Sequence, residues 1–296
     1  MATRIHFDEV RNNNIKSFLL VFLFFLVVAI IGYFVGLIWG NPIAGLIFTL
    51  VIGVIYSLIA YFQGKNMVMK MAGAKKVKKK DYPHLFHTVE GLALAAGIPT
   101  PECYVIESKA PNAFATGRSH EEGAIAVTTG LLDKLNREEV EGVVAHEIAH
   151  IKNYDIRTMM LAAVLAGVIV FLSHVLIRSF FFSGSGGRDG RAQLILFFVG
   201  LVLAILAPIF AEMIKMAISR KNEYSADARA AVLTRNPKGL ANALRKISGD
   251  SAKFDNVNRG TAHMYIDEPY EKKGFVGNLF STHPPTEERI KRLEDM

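Results

Sequence analysis

The stretch EGVVAHEIAHIKNYD, Glu141 to Asp155, carries two histidines four residues apart with a glutamate directly after the first. On an α-helix, residues i and i+4 lie one above the other, so His146 and His150 can each aim an imidazole nitrogen at a single ion. Glu147 stands about 100° further round the helix, beside such an ion without being a ligand. The five-residue pattern arises by chance roughly once or twice in a hundred chains of this composition, so its flanks must decide. Asn136 followed three residues later by Glu139 reads as a capping box, and Val140, Val143, Val144, Ile148 and Ile151 recur at helical spacing. The motif therefore belongs to an amphipathic helix.

A catalytic zinc takes three protein ligands and keeps a fourth position for water. The stretch NEYSAD, Asn222 to Asp227, offers Glu223 and Asp227, again i and i+4 on a helix. One of them can bind metal while the other accepts a hydrogen bond from a ligand histidine. The plainer alternative is a solvated acidic face, where most Asp and Glu lie.

Residues 17 to 64 contain no Asp, Glu, Lys, Arg or His. The apolar run breaks only at Trp39-Gly40-Asn41-Pro42, which yields two spans, Ser17–Ile38 and Ile43–Gln63, each near the ~20 residues that cross a bilayer. A cleaved signal peptide fits less well, because the segment exceeds the ~7–15 residues of an apolar signal core and a second span follows at once. Two further apolar runs of 20 residues follow the motif, Thr158 to Ile177 and Ala192 to Ala211, joined by a link containing SGSGGRDGR. They read as a second membrane hairpin, with a buried hairpin of a soluble core as the alternative. His174 is then an interfacial residue rather than a ligand. If helices continue out of the membrane, His150 and Glu223 rise roughly 12 and 18 Å above one surface at ~1.5 Å per residue, unless the chain bends near Asn153–Asp155.

Residues 1 to 80 hold ten Lys or Arg against two Asp or Glu, and the remainder is nearly balanced. Most of the excess follows the second span, in GKNMVMKMAGAKKVKKK, which assigns that side and the N-terminus to the cytoplasm. The patch suits anionic lipid headgroups; nucleic acid is not expected, because Lys65 to Lys80 has no aromatic residue to stack on bases. The single cysteine, Cys103, cannot form an intramolecular disulfide and suits a reducing compartment.

The expected architecture is an α-helical integral membrane protein with about four transmembrane helices and a mainly helical α+β cytosolic domain of roughly 160 residues. Residues 1–80 form a two-span anchor with its basic segment, 81–157 the first part of the domain, 158–211 the second membrane hairpin and 212–296 the second part. Helices are expected near Leu85–Ala96, Ser219–Thr234 and Lys238–Ile247, and strands near Cys103–Glu107, Asn112–Thr116 and Ala124–Thr128. Ser248 to Ser281 reads as loop with a short strand. The strand of Asn112, Ala113 and Phe114, followed by a turn over Gly117–Glu122, has an edge that can pair with an extended peptide.

Taken together, HEIAHIKNYD, NEYSAD, PNAFATG and FSTHPPTEERIKRL, with four apolar spans in these places, resemble the HtpX-type membrane zinc metalloproteases, relatives of the CAAX prenyl endoprotease. The resemblance covers nearly the whole chain. It implies one zinc ion on His146, His150 and Glu223, with Glu147 as the catalytic carboxylate and Asp227 in support. It further implies that Asn112 lies on the strand receiving substrate, and that His283 and Arg289 face the zinc from the far side as donors to the oxyanion. The implied function is hydrolysis of misfolded or damaged membrane proteins and unfolded polypeptides at the cell membrane during stress, with the catalytic domain and both termini cytoplasmic.

Three other readings compete. An intramembrane protease would carry its motif inside an apolar span, whereas Glu138, Glu139, Glu141 and Lys152 surround this one. A prenyl-peptide protease uses the same chemistry and is distinguished by assay on a prenylated peptide. A metal transporter or membrane scaffold would need polar ligands within its spans, where only His174 and Glu212 come near.

Overall fold

The structure is a computed structural model, and it describes residues 2–38, 40–165, 200, 220–252, 254, 261–267 and 284–296. Helices α1 (Ala2–Ile38) and α2 (Pro42–Met71) form an antiparallel hairpin. Its turn is written locally. Gly40 takes φ +78°, a conformation glycine adopts without a Cβ penalty, and the Asn41 and Gly40 amides donate back to Gly36 and Leu37. Asn41 then caps α2 by accepting from the Ala44 amide at 3.1 Å, with Pro42 in the first helical turn. The two helices touch backbone to backbone: a Cβ on Gly45 would stand 2.4 Å from the Gly36 Cα.

Both helices are long and apolar enough to cross a membrane, over Asn13–Phe34 and Pro42–Met71. Of the 20 large hydrophobic side chains exposed among the described residues, 17 lie on this hairpin, including Phe18, Phe22, Ile43, Ile47 and Phe62. Such a belt is costly in water and at rest in lipid. Of the second expected hairpin, 158–165 and 200 are described, and the rest lies outside the described residues.

A four-stranded sheet follows, comprising β1 (Lys75–Lys76), β2 (Glu102–Ile106), β3 (Ala113–Thr116) and β4 (Ala124–Thr128), in the order β1-β2-β4-β3. β2 and β4 run parallel; β1 and β3 are antiparallel to their neighbours. Cys103, Val105, Ala113, Ala115, Ile125 and Val127 face one way, into a core with α3 (Pro83–Ala96) and later helices. Tyr104, Ile106, Phe114, Ala124 and Ala126 face the other way, into a core with Leu20, Phe24, Ala60, Val68 and Met69 of α1 and α2. Period-two alternation puts opposite cores on the two faces of one sheet. Apolar packing thus runs across residue 80, and the hairpin and the domain share a core.

A short helix α4 (Thr129–Lys134) leads to α5 (Arg137–Lys152), whose capping box is formed as expected: the Asn136 side chain accepts from the Glu139 amide, and the Glu139 carboxylate from the Asn136 amide. The anticipated bend is present. Tyr154 takes φ +60° and turns the chain into α6, residues 155–165, of which 158–165 are all buried. Helices α7 (Arg220–Thr234), α8 (Pro237–Ser248) and α9 (Thr286–Glu294) complete the described helices. Of the segment expected to be loop with a short strand, the residues around Ala262–Met264 form a 3-10 turn, and 253, 255–260 and 268–281 lie outside the described residues.

Candidate metal centre

Helices α5 and α7 pack against each other and bring the two motifs together. The Nε2 atoms of His146 and His150 are 3.1 Å apart. Glu223 Oε1 is 3.4 Å from His150 Nε2, and Oε2 is 3.6 Å from His146 Nε2. These ligand atoms all lie within 4.8 Å of one another. Tetrahedral zinc with bonds near ~2.0–2.1 Å has ligand-to-ligand edges of about 3.4 Å, so each of these contacts is near one edge length, with the two carboxylate oxygens each beside a different histidine.

The far side of each imidazole is held by a carboxylate. His146 Nδ1 faces Asp227 Oδ1 at 2.9 Å, and His150 Nδ1 faces Asp155 Oδ2 at 2.9 Å. A carboxylate at Nδ1 keeps the proton there and leaves the Nε2 lone pair for a metal. Asp227 is in turn gripped by Arg289, with Nε to Oδ2 at 2.8 Å and Nη2 to Oδ1 at 2.7 Å. Arg289 Nη1 also lies 3.5 Å from Glu223 Oε2 and donates to the Ile266 carbonyl at 3.3 Å.

Charge makes the same case for a cation. Among the described residues, Glu147, Glu223, Asp227 and Asp155 are 1–3% exposed at the site, against one equally buried guanidinium, Arg289, at 1%. Buried carboxylates in such excess require compensation. Burial pushes the Glu147 carboxyl above its ordinary range, against the pull of His146 and His150. Burial also opposes a charge on His150, yet Asp155 and Glu223 outweigh it and raise that imidazole well above its ordinary value. Burial likewise disfavours the charged form of Asp227, but Arg289 overrides it and holds the carboxyl at about 2. The donor set, its spacing and its surplus negative charge fit a divalent metal.

His146, Glu147, His150, Glu223, Asp227 and Arg289, which the sequence singled out, are thus brought together. His283 lies outside the described residues. Asn112, Ala113 and Phe114 lie at and on β3, an edge strand of the sheet, but the expectation of a free edge needs correction at its first two residues. The Ile266 amide donates to the Ala113 carbonyl at 2.9 Å, and the Asn112 amide group donates to the Asp267 carbonyl at 2.7 Å. Phe114 is fully buried against Tyr265, with ring centroids 5.0 Å apart, and alternation along the strand turns its backbone groups towards Ala126 of β4, so the outward-facing backbone beyond Ala113 is that of Ala115. Asp155, on the bend, was missed as a partner of His150. Its signal was its place five residues beyond the second histidine, but a continuing helix would have turned it away.

A family model described as Peptidase family M48 matches residues 79–296. The chain belongs to this family. Over 98% of its length it is 46% identical to a "Protease HtpX homolog" of Listeria monocytogenes serotype 4a, covering 99% of that protein. A "Protease HtpX homolog" of Dictyoglomus thermophilum is also 46% identical, with 98% of this chain and 94% of that protein covered, and one of Streptococcus gordonii is 41% identical, with 98% and 99% covered. The crystal structure of S. mikatae Ste24p superposes with a TM-score of 0.51 at 21% identity, over 83% of this chain and 57% of that one, a likeness of fold. The chain is a metalloprotease of the HtpX type and a membrane protein, mostly helical with a small sheet.

Proposed function

We propose that the chain is a zinc-dependent endopeptidase that cleaves misfolded or damaged membrane proteins and unfolded polypeptides at the cell membrane. The observation that carries this is the convergence of His146, His150 and Glu223 within 4.8 Å, buried, on a domain that shares its core with an apolar helical hairpin. Zinc held there would acidify a water towards pKa ~7 and polarise the scissile carbonyl. Glu147 takes the water's proton and returns it to the leaving amine, a task suited to a carboxylate whose pKa burial has raised. Arg289, whose guanidinium nitrogens are engaged by Asp227, Glu223 and the Ile266 carbonyl, holds Asp227, and through it His146, in place and lends positive charge to the site, while the hydrogen bond to the oxyanion falls to His283.

An extended substrate adds to β3 along Asn112–Thr116, with residues 266–267 giving way at Asn112 and Ala113. Pairing through backbone groups makes selectivity for sequence weak, as suits a role in quality control. Residues 158–211 complete a four-span topology, and the lysine-rich segment after α2 keeps the active site and both termini on the cytoplasmic side. The domain reading of 1–80, 81–157, 158–211 and 212–296 belongs to this proposal.

The test is zinc content and hydrolysis of an unfolded protein such as casein by detergent-purified protein, beside Glu147→Gln. The glutamine keeps the shape and cannot accept the proton, so turnover should fall at least ~100-fold with zinc retained. Substantial turnover by the variant would overturn the assignment of Glu147. Activity without bound zinc would overturn the metal.

A further inference from the structure

We infer that the first membrane helix helps to hold the metal, through Asn13 acting on Asp155 and thereby on His150. The inference rests on His146, His150 and Glu223 being the metal site and adds a positioning chain behind one of those ligands.

The network begins at His150. Its Nδ1 faces Asp155 Oδ2 at 2.9 Å, and the other oxygen of that carboxylate accepts from two amides, Asn13 Nδ2 at 2.6 Å and Asn222 Nδ2 at 2.7 Å. Asn13 Nδ2 also donates to the Asn153 carbonyl at 3.1 Å, at the end of α5. Asn222 Nδ2 reaches Asn13 Oδ1 at 3.3 Å. Each amide nitrogen has two protons, and every one of the four has an acceptor within this group. The pattern leaves one workable orientation for each amide: Asn13 must turn its nitrogen to Asp155 and its oxygen to Asn222. Asp155 is 1% exposed and Asn13 2%, so water does not substitute readily for a lost donor.

The parts come from distant places. Asn13 stands where the apolar span of α1 begins, Asp155 opens α6, and Asn222 precedes the ligand Glu223 on α7. The register of α1 against α6 is pinned again one turn on, where Ser17 Oγ meets Thr158 Oγ1 at 2.9 Å and Arg157 Nη1 donates to Asn14 Oδ1 at 3.1 Å. A carboxylate behind a ligand histidine fixes the ring's orientation and raises its basicity, and its own hydrogen bonds decide how firmly it does so. Asn13 and Asn222 are positioning residues in this sense, and Asn13 makes metal retention depend on a membrane helix.

The experiment uses the full chain in detergent and measures zinc affinity by competition with a chromophoric chelator, together with the visible spectrum of the cobalt-substituted protein. Asp155→Ala should weaken zinc about 10- to 100-fold. Asn13→Ala and Asn222→Ala should each weaken it by a smaller factor, about 3- to 10-fold, and shift the cobalt bands that report ligand geometry. The decisive arm is the double variant: once Asp155 is alanine, adding Asn13→Ala should leave zinc affinity unchanged, because the path from Asn13 to the metal is already cut. Ser17→Ala, which removes the neighbouring contact of the same helix pair, should leave affinity and spectrum as they are. Should Asn13→Ala not fold, the near-isosteric Asn13→Leu, which lacks the amide donor, carries the same test from α1. Wild-type affinity in Asn13→Ala, or an Asn13→Ala effect undiminished beside Asp155→Ala, overturns the inference. Retention of zinc by Glu223→Ala would instead overturn the site on which it rests.

Discussion

The two ligand histidines are supported in contrasting ways. Behind His146 stands an ionic arm, Asp227 clamped by both forks of a buried Arg289, all of it on α7 and α9. Behind His150 stands an arm of neutral amides, Asp155 held by Asn13 and Asn222, which begins in the membrane helix α1. The ionic arm is strong and self-contained, and removing one charge strands the other. The amide arm costs less to desolvate and links the site to the apolar hairpin. One centre thus has a fixed ligand and a ligand whose placement depends on the anchor.

The largest effect falls where the arms meet. Glu223 completes the ligand set for both histidines, so Glu223→Ala should lose zinc on dialysis against a weak chelator and lose proteolysis with it. Full occupancy after dialysis would overturn Glu223 as a ligand.

Next comes the ionic arm. Arg289→Ala leaves Asp227 buried without its cationic partner, with only the His146 Nδ1 contact remaining, which should destabilise the protein by about 3–5 kcal/mol, more than either amide variant of the other arm. Arg289→Lys should restore only part of this, because an ammonium cannot bridge both carboxylate oxygens in the plane of the fork. Denaturation of the three variants in one detergent compares the arms directly, and equal losses for Arg289→Ala and Asn13→Ala would erase the distinction between them.

The smallest effect is expected at a third tie between hairpin and domain, on the surface. Lys65 at the end of α2 meets Glu102 of β2 at 2.9 Å, and Lys76 meets the same carboxylate. Burial opposes the charge on Glu102, yet the two lysines and Tyr104 win and hold its carboxyl at about 2. A folded pKa below the unfolded value near ~4.3 means the contribution is present above that value and lost as pH falls towards 2. Because Glu102 is only partly buried, Glu102→Gln should cost under about 1 kcal/mol at neutral pH, less in high salt, and nothing near pH 2. A larger or salt-independent loss would rank this contact with the buried arms.

Much of the site was legible because its spacing is local. A helix puts i and i+4 on one side, so His146 with His150 and Glu223 with Asp227 could be paired by counting, and the Asn136 capping box marked where that helix starts. The two spans of the first hairpin were legible for a similar reason, since lipid demands an unbroken apolar run and the Gly40-Asn41-Pro42 turn interrupts it. What the sequence could not supply was whatever depends on how separate elements meet. Asp155 lies behind His150 because the helix is interrupted at Asn153–Tyr154, where Tyr154 takes a positive φ. Asn13 reaches that carboxylate from 142 positions away. Ile266 occupies the β3 edge because a segment with no periodicity of its own folds back onto it. The sequence by itself determined which residues share a helix face and which segments belong in lipid. The tertiary structure decided which carboxylate stands behind which imidazole and what covers the strand edge, because hydrogen bonds between distant segments leave no period in the chain that makes them.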